Sequence, residues 1–114
     1  MHEYSLVEAL IGRVEAEARK RGALAVHGLS VRLGELAGVD PELFQTAYDT
    51  FRAGTLCAAA PLTVKRIPAG WTCPRCRQPI PRGEVLRCVP CGEPASLDEG
   101  SDALTLDAID LEVP

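Results

Sequence analysis

Cys73-x-x-Cys76 and Cys88-x-x-Cys91, with eleven residues between them, place four thiols at the spacing of a paired-knuckle metal site. Each knuckle brings two sulfurs to one side of a tight turn. A hairpin between the knuckles then closes a tetrahedron with metal–sulfur distances of about 2.3 Å. Four sulfurs leave no open coordination position, so the pattern predicts a structural Zn(II) site at Cys73, Cys76, Cys88 and Cys91 rather than a hydrolytic one. Gly92, directly after Cys91, suits the positive φ that such a turn often needs. Two disulfides or an iron–sulfur cluster are the competing uses of four cysteines, and spacing together with a reducing compartment favours zinc. The fifth, Cys57, stands in the apolar run Leu56-Cys57-Ala58-Ala59-Ala60 without a neighbouring His or cation, and reads as a small buried hydrophobe rather than a nucleophile.

The amino terminus holds a second set of donors. The amine of Met1, the amide nitrogen of His2 and its imidazole can form fused chelate rings around one ion, and the amide of Glu3 or another donor would complete a square-planar nitrogen site of the kind Ni(II) or Cu(II) favours. Such ligation needs deprotonated groups, so affinity should rise with pH. Against it stands the plainer reading of His2 as an exposed residue on a frayed end, and of Glu3 as a carboxylate complementing a helix dipole. His27, at the start of a strand, reads as a structural histidine.

These donors must be held by a chain of 114 residues, enough for one modest core and a stapled satellite. No stretch approaches the roughly 20 apolar residues of a membrane span, and the start Met1-His2-Glu3-Tyr4 lacks the pattern of a secretory signal, so a cytoplasmic location is expected. The formal charge of -4 conceals a division. Residues 65–92 carry Lys65, Arg66, Arg75, Arg77, Arg82 and Arg87 against Glu84 alone, whereas residues 93–114 hold seven carboxylates and no cation. A basic knuckle region beside an acidic tail suits a protein partner as readily as nucleic acid.

Val7, Leu10, Ile11, Val14 and Ala18 recur at helical spacing, predicting an amphipathic helix over 5–21 with Ser5 and Glu8 as its capping box and Gly22 as its stop. Residues 24–34 change to a period of two, a half-buried strand with Leu29, Val31 and Leu33 on one face. Asp40-Pro41-Glu42 starts a second helix whose apolar stripe is Leu43, Phe44, Ala47, Tyr48 and Phe51, with Gly54 past its end. Short strands follow at 62–67 and 104–111, and a change of phase between Leu106 and Ile109 predicts a bulge near Ala108. The first two strands, separated by a helix, can pair in parallel. The expected fold is therefore α+β: two helices packed on a small mixed three-stranded sheet, with an inserted zinc-ribbon module. Residues 1–67 plus 103–114 would form the first domain, and the Pro- and Gly-rich residues 68–102 the ribbon.

Met1-His2-Glu3-Tyr4-Ser5-Leu6, the segment Val31-Arg32-Leu33-Gly34-Glu35-Leu36-Ala37-Gly38-Val39-Asp40-Pro41, the two Cys-x-x-Cys pairs and the closing strand together resemble the HypA/HybF family of nickel metallochaperones. The likeness is collinear over essentially the whole chain. It implies a nickel-binding domain bearing a zinc ribbon, with His2 as principal nickel ligand, contributions from Met1 and the Glu3 region, and the four knuckle cysteines on zinc. It also implies Ni(II) as transported cargo, a hydrogenase maturation GTPase and the hydrogenase large subunit as partners, and in some organisms service to urease. Some relatives carry histidines near the zinc cysteines; this module has none, so zinc-site switching that depends on them is not expected here.

Three other classes compete with a metallochaperone. A zinc-ribbon nucleic-acid binder draws on the arginines, but overall acidity, a single nearby aromatic (Trp71) and the acidic tail oppose it. An enzyme is opposed by a closed metal site, two distant histidines and no nucleophile–base motif. A zinc-stapled protein adaptor that moves no metal differs from the chaperone only in nickel binding at His2.

Overall fold

A computed structural model describes residues 2–83 and 85–114. The first helix, α1 (His2–Lys20), buries Val7, Leu10, Ile11, Val14 and Ala18 along one stripe. It stops at Gly22, whose φ of 62° lets the Gly22 amide reach Arg19 O (3.1 Å) and the Ala23 amide reach Ala18 O (2.9 Å), satisfying two orphan carbonyls. Its start lies three residues earlier than the Ser5 boundary, so Ser5 sits inside the helix instead of capping it. Two contacts anchor that extra turn. The Glu3 carboxylate accepts from the Asp40 amide (3.4 Å), and the Tyr4 ring meets Phe51 edge-on with centroids 5.1 Å apart.

Strand β1 (Ala25–Gly34) leads to α2 (Pro41–Phe51), which begins as the sequence dictates: Asp40 Oδ1 accepts from the amides of Glu42 (2.9 Å) and Leu43 (3.2 Å), and Pro41 takes the first helical position. Phe44, Ala47 and Tyr48 are buried, but Leu43 is half exposed and leaves the expected stripe; Phe51 reaches the surface while covering Tyr4. The Tyr48 hydroxyl donates to Ala60 O (2.6 Å), and the thiol of Cys57 is buried in the same cluster, where desolvation raises its pKa. Cys57 thus packs as the small hydrophobe its neighbours suggested.

Strand β2 (Leu62–Ile67) pairs with β1 in parallel, from Leu29 opposite Leu62 to Gly34 opposite Ile67. Three two-residue strands follow, β3 (Trp71–Thr72), β4 (Pro79–Ile80) and β5 (Ser96–Leu97), which form their own sheet in the order β4-β3-β5. The last strand, β6 (Leu104–Glu112), returns antiparallel to β1 and completes the larger sheet, β2-β1-β6. Its register slips between Ser30–Ala108 and Val31–Leu106, leaving Asp107 as the extra residue. This is the bulge expected near Ala108, and it lets both Leu106 and Ile109 pack against the core. Asp107 turns to the opposite face, 2.6 Å from Lys65 Nζ and 3.3 Å from Arg32 Nε. A second slip leaves His27 unpaired in β1, and its Nε2 lies 2.9 Å from Glu112 Oε1 on the surface.

The cysteine-bearing sheet is seated on the end of β1. A Cβ on Gly34 would collide with the carbonyl oxygens of Gly100 and Ser101, so only glycine permits this approach. Around it, Leu36 N donates to Ser101 O (2.8 Å), Gly70 N to the buried Ser101 hydroxyl (3.2 Å), and Ala69 N to Glu35 Oε1 (2.9 Å). Arg82 reaches across and grips both oxygens of Glu35 in a bidentate pair, its guanidinium 6.0 Å from the centre of the Trp71 ring. Arg82 and the Ala69 amide together hold the Glu35 carboxyl at a pKa of about 2. Because the folded value lies below the ordinary 4.5, the contact is fully present above that pH and is lost as pH falls towards 2. Carbon-detected NMR titration should find Glu35 ionising near 2 in the wild-type protein and shifted up towards 4.5 in Arg82→Ala. A wild-type value near 4.5 would mean that the pair does not hold in solution.

Candidate metal centre

The two knuckles are built alike. At the first, Cys73 N donates to Gln78 O (2.9 Å) and Arg77 N to Cys73 O (2.9 Å); at the second, Cys88 N donates to Glu93 O (2.8 Å) and Gly92 N to Cys88 O (2.7 Å). The residue four places after each leading cysteine must be left-handed to close this pattern, with φ of 69° at Gly92 and 66° at Arg77. Sequence identified the glycine. It missed Arg77, because no side-chain signal marks an arginine for that conformation.

The turns bring the four sulfurs of Cys73, Cys76, Cys88 and Cys91 within 4.8 Å of one another. Cys76 Sγ and Cys88 Sγ are 3.7 Å apart, against the roughly 3.8 Å edge of a tetrahedron whose arms are about 2.3 Å. The set therefore fits a tetrahedral ion of the zinc type. All five cysteines of the chain are free thiols, as a metal cage requires and a pair of disulfides does not. Cys73 and Cys88 are buried, Cys91 is half buried and Cys76 exposed, over a satellite cluster that, among the described residues, adds Ile80, Trp71 and Ala95.

Electrostatics at the cage are divided. The amides of Cys76 and Arg75 point at the Cys73 sulfur and lower that thiol to about 7, so one thiolate forms readily near neutral pH. At Cys88 the Cys91 amide favours ionisation, but burial and the sulfurs of Cys76 and Cys73 outweigh it and raise the thiol. Cys91 is pushed up to about 12, first by its contact with the Cys76 sulfur and then by desolvation. The first ionisation is easy and the last is opposed by the charges already present, a balance that a divalent ion at the centre would reverse.

The other predicted donors lie apart from this cage. His2 is the exposed first residue of α1, and Glu3 commits its carboxylate to the Asp40 amide; Met1 lies outside the described residues. Among the described residues, the cysteines form the one group of three or more His, Cys, Asp or Glu side chains able to surround an ion.

A family profile described as "Hydrogenase/urease nickel incorporation, metallochaperone, hypA" matches residues 1–111. The chain belongs to the HypA family. It is 35% identical over 112 residues to a hydrogenase maturation factor HypA of Nitrosospira multiformis, covering 97% of each protein. It is 40% identical over 77 residues to that of Shewanella baltica, covering 68% of this chain and 66% of the relative. Two solution structures share the fold at 26% identity: the Ni metallochaperone HypA from Helicobacter pylori, with a TM-score of 0.70 over 98% of both chains, and a second HypA protein, with 0.79 over 100% of this chain and 98% of the other. The HypA description is that of a metallochaperone for nickel incorporation, which sets the family apart from enzymes.

The left-handed positions make a local test. Gly92→Ala should cost about 1 kcal/mol, read as several-fold faster loss to a chelator of Zn(II) loaded on the purified protein, whereas Arg77→Gly should hold the loaded ion as well as the unsubstituted chain or better. Equal loss from both variants would contradict the positive φ at these positions.

Proposed function

We propose that this protein binds Ni(II) at its amino terminus and delivers it for maturation of nickel–iron hydrogenase, while Zn(II) held by Cys73, Cys76, Cys88 and Cys91 keeps the ribbon folded. The observation that carries the reading is the start of α1 at His2. The first amides of a helix have no intrahelical acceptor, so the nitrogens of His2 and Glu3 can be given to a metal without breaking a helical hydrogen bond. The His2 imidazole, exposed at the same end, adds a third donor, and the Met1 amine a fourth. Nitrogen donors in a plane suit Ni(II), and their exposure suits a cargo that must be released. The reading requires a free amine on Met1.

The Glu3 carboxylate plays a different part. Bonded to Asp40, it pins the turn that presents His2, so Glu3 would meet the metal through its amide. In this account residues 1–67 with 103–114 form the nickel domain, and residues 68–102 the zinc ribbon. A maturation GTPase and the hydrogenase large subunit are the partners, with urease a further recipient in organisms that have it, and the cytoplasm is the setting in which the thiols stay reduced. A ribbon that merely docks proteins or nucleic acid without moving metal is the rival.

Calorimetry decides between them. His2→Ala should lower nickel affinity by at least about 100-fold, as expected when a chelate loses its central imidazole, and leave zinc at one per chain. Unchanged nickel affinity in that variant would reject the amino-terminal site.

A further inference from the structure

The first turn of α1 stands outside the core. Val7 is the first fully buried residue of this helix, so His2 to Leu6, about one and a half turns, precede it. A helix end with so little beneath it frays unless side chains tie it down. Glu3 and Tyr4 both do so, and both ties run to α2: Glu3 accepts from the Asp40 amide at the start of that helix, and the Tyr4 ring meets Phe51, its last residue.

Phe51 serves this contact more than it serves the core. It is 37% exposed, whereas Phe44 and Tyr48 of the same helix are fully buried. Its ring and that of Tyr4 stand at 75° with centroids 5.1 Å apart, the arrangement in which a positive ring edge meets a negative ring face. The backbone that carries Phe51 is held on its own account. Arg52, next along, donates its amide to Tyr48 O (3.0 Å) and its guanidinium to Ala60 O (3.0 Å), and that guanidinium lies over the Tyr48 ring. Phe51 is therefore a fixed post, and Tyr4 belongs to the segment that would swing away from it.

The conformation held by this contact is the one a chelate of backbone nitrogens needs. In an extended chain successive amides point to opposite sides, so the nitrogens of neighbouring residues face apart. In a helical turn they point the same way along the axis, and in the first turn they have no acceptor. With α1 beginning at His2, the amides of His2 and Glu3 are aligned before any ion arrives. A terminus that the metal itself had to order would lose about fivefold to thirtyfold in affinity for each residue fixed on binding.

We propose that Phe51 is a positioning residue for nickel: by holding Tyr4 it keeps the first turn of α1 helical, so that the donors of His2 and Glu3 meet the ion already arranged. The inference rests on the amino-terminal reading of the nickel site and adds to it a residue, remote in sequence, that ligates no metal.

The test uses the full-length, zinc-loaded chain with a free Met1 amine, unsubstituted and as Phe51→Ala, Phe51→Tyr, His2→Ala and Val26→Ala. Val26 is buried near the start of β1, just past the opposite end of α1, so truncating it loosens the fold away from the first turn. Ni(II) is titrated into each protein by calorimetry, the ligand-field absorption of the bound ion is recorded at saturation, and zinc content and thermal midpoint are measured in the same samples. Phe51→Ala should lower nickel affinity about threefold to tenfold. Its zinc content and its saturated spectrum should match those of the unsubstituted chain, because the donors are the same. Phe51→Tyr keeps the ring and should hold affinity within about twofold of the original. Val26→Ala should lower the thermal midpoint and leave nickel affinity as it was. Unchanged nickel affinity in Phe51→Ala, an equal loss in Val26→Ala, or a loss in Phe51→Tyr as large as in Phe51→Ala overturns the proposal. If Phe51→Ala does not fold, Phe51→Leu, which keeps apolar bulk and removes the ring, is read by the same comparison. Nickel binding that survives His2→Ala would remove the amino-terminal site and this proposal with it, whereas loss in His2→Ala with none in Phe51→Ala removes only the role of the ring.

Discussion

Four sulfurs held within 4.8 Å of one another are the constraint on which the ribbon depends. Four thiolates at that spacing repel, and four thiols would bury sulfur with little return, as the opposed shifts of Cys73, to about 7, and Cys91, to about 12, already express. A cation at the centre resolves the conflict. The rest of the lobe cannot, since its three strands are two residues long and its apolar cluster is three residues beyond the cysteines. An ion bound there would therefore matter first to this lobe, whereas the larger sheet has its own core of Val7, Val14, Val31, Phe44 and Tyr48.

The two lobes meet over a small but directional junction. Gly34 allows backbone to approach backbone, Ser101 is buried in the contact, and Glu35 is held from one side by the Ala69 amide and from the other by Arg82. Glu35 stands at one end of the loop that leads to α2, and Asp40, bonded to Glu3 beside His2, stands at the other. One short segment thus carries both the contact that seats the ribbon and the contact that seats the amino terminus. The sulfur cage and the nitrogen donors proposed for nickel are thus carried on different parts of one frame, each with its own chemistry.

Much of this was legible in the chain because the signals were local. Asp40-Pro41-Glu42 marks a helix start by the needs of its orphan amides, the alternation of Leu29, Val31 and Leu33 marks a half-buried strand, and the phase change between Leu106 and Ile109 marks the Asp107 bulge. The cysteine spacing likewise contains its own geometry. What could not be read were pairings between distant segments. The extension of α1 back to His2 depends on Phe51 and Asp40, and nothing near Ser5 announces either. The exposure of Leu43 depends on how α2 is rotated against the sheet. Arg82 and Glu35 are 47 residues apart, and Arg77 adopts a conformation set by the knuckle and not by its side chain.

The central claim is that two metals are segregated by donor type, sulfur in the ribbon and nitrogen at the first residues. X-ray absorption at both edges of the wild-type protein loaded with one zinc and one nickel tests it directly. The account predicts zinc surrounded by four sulfurs at about 2.3 Å and nickel surrounded by nitrogen and oxygen donors alone. Sulfur in the nickel shell, or a zinc shell short of four sulfurs, would contradict it.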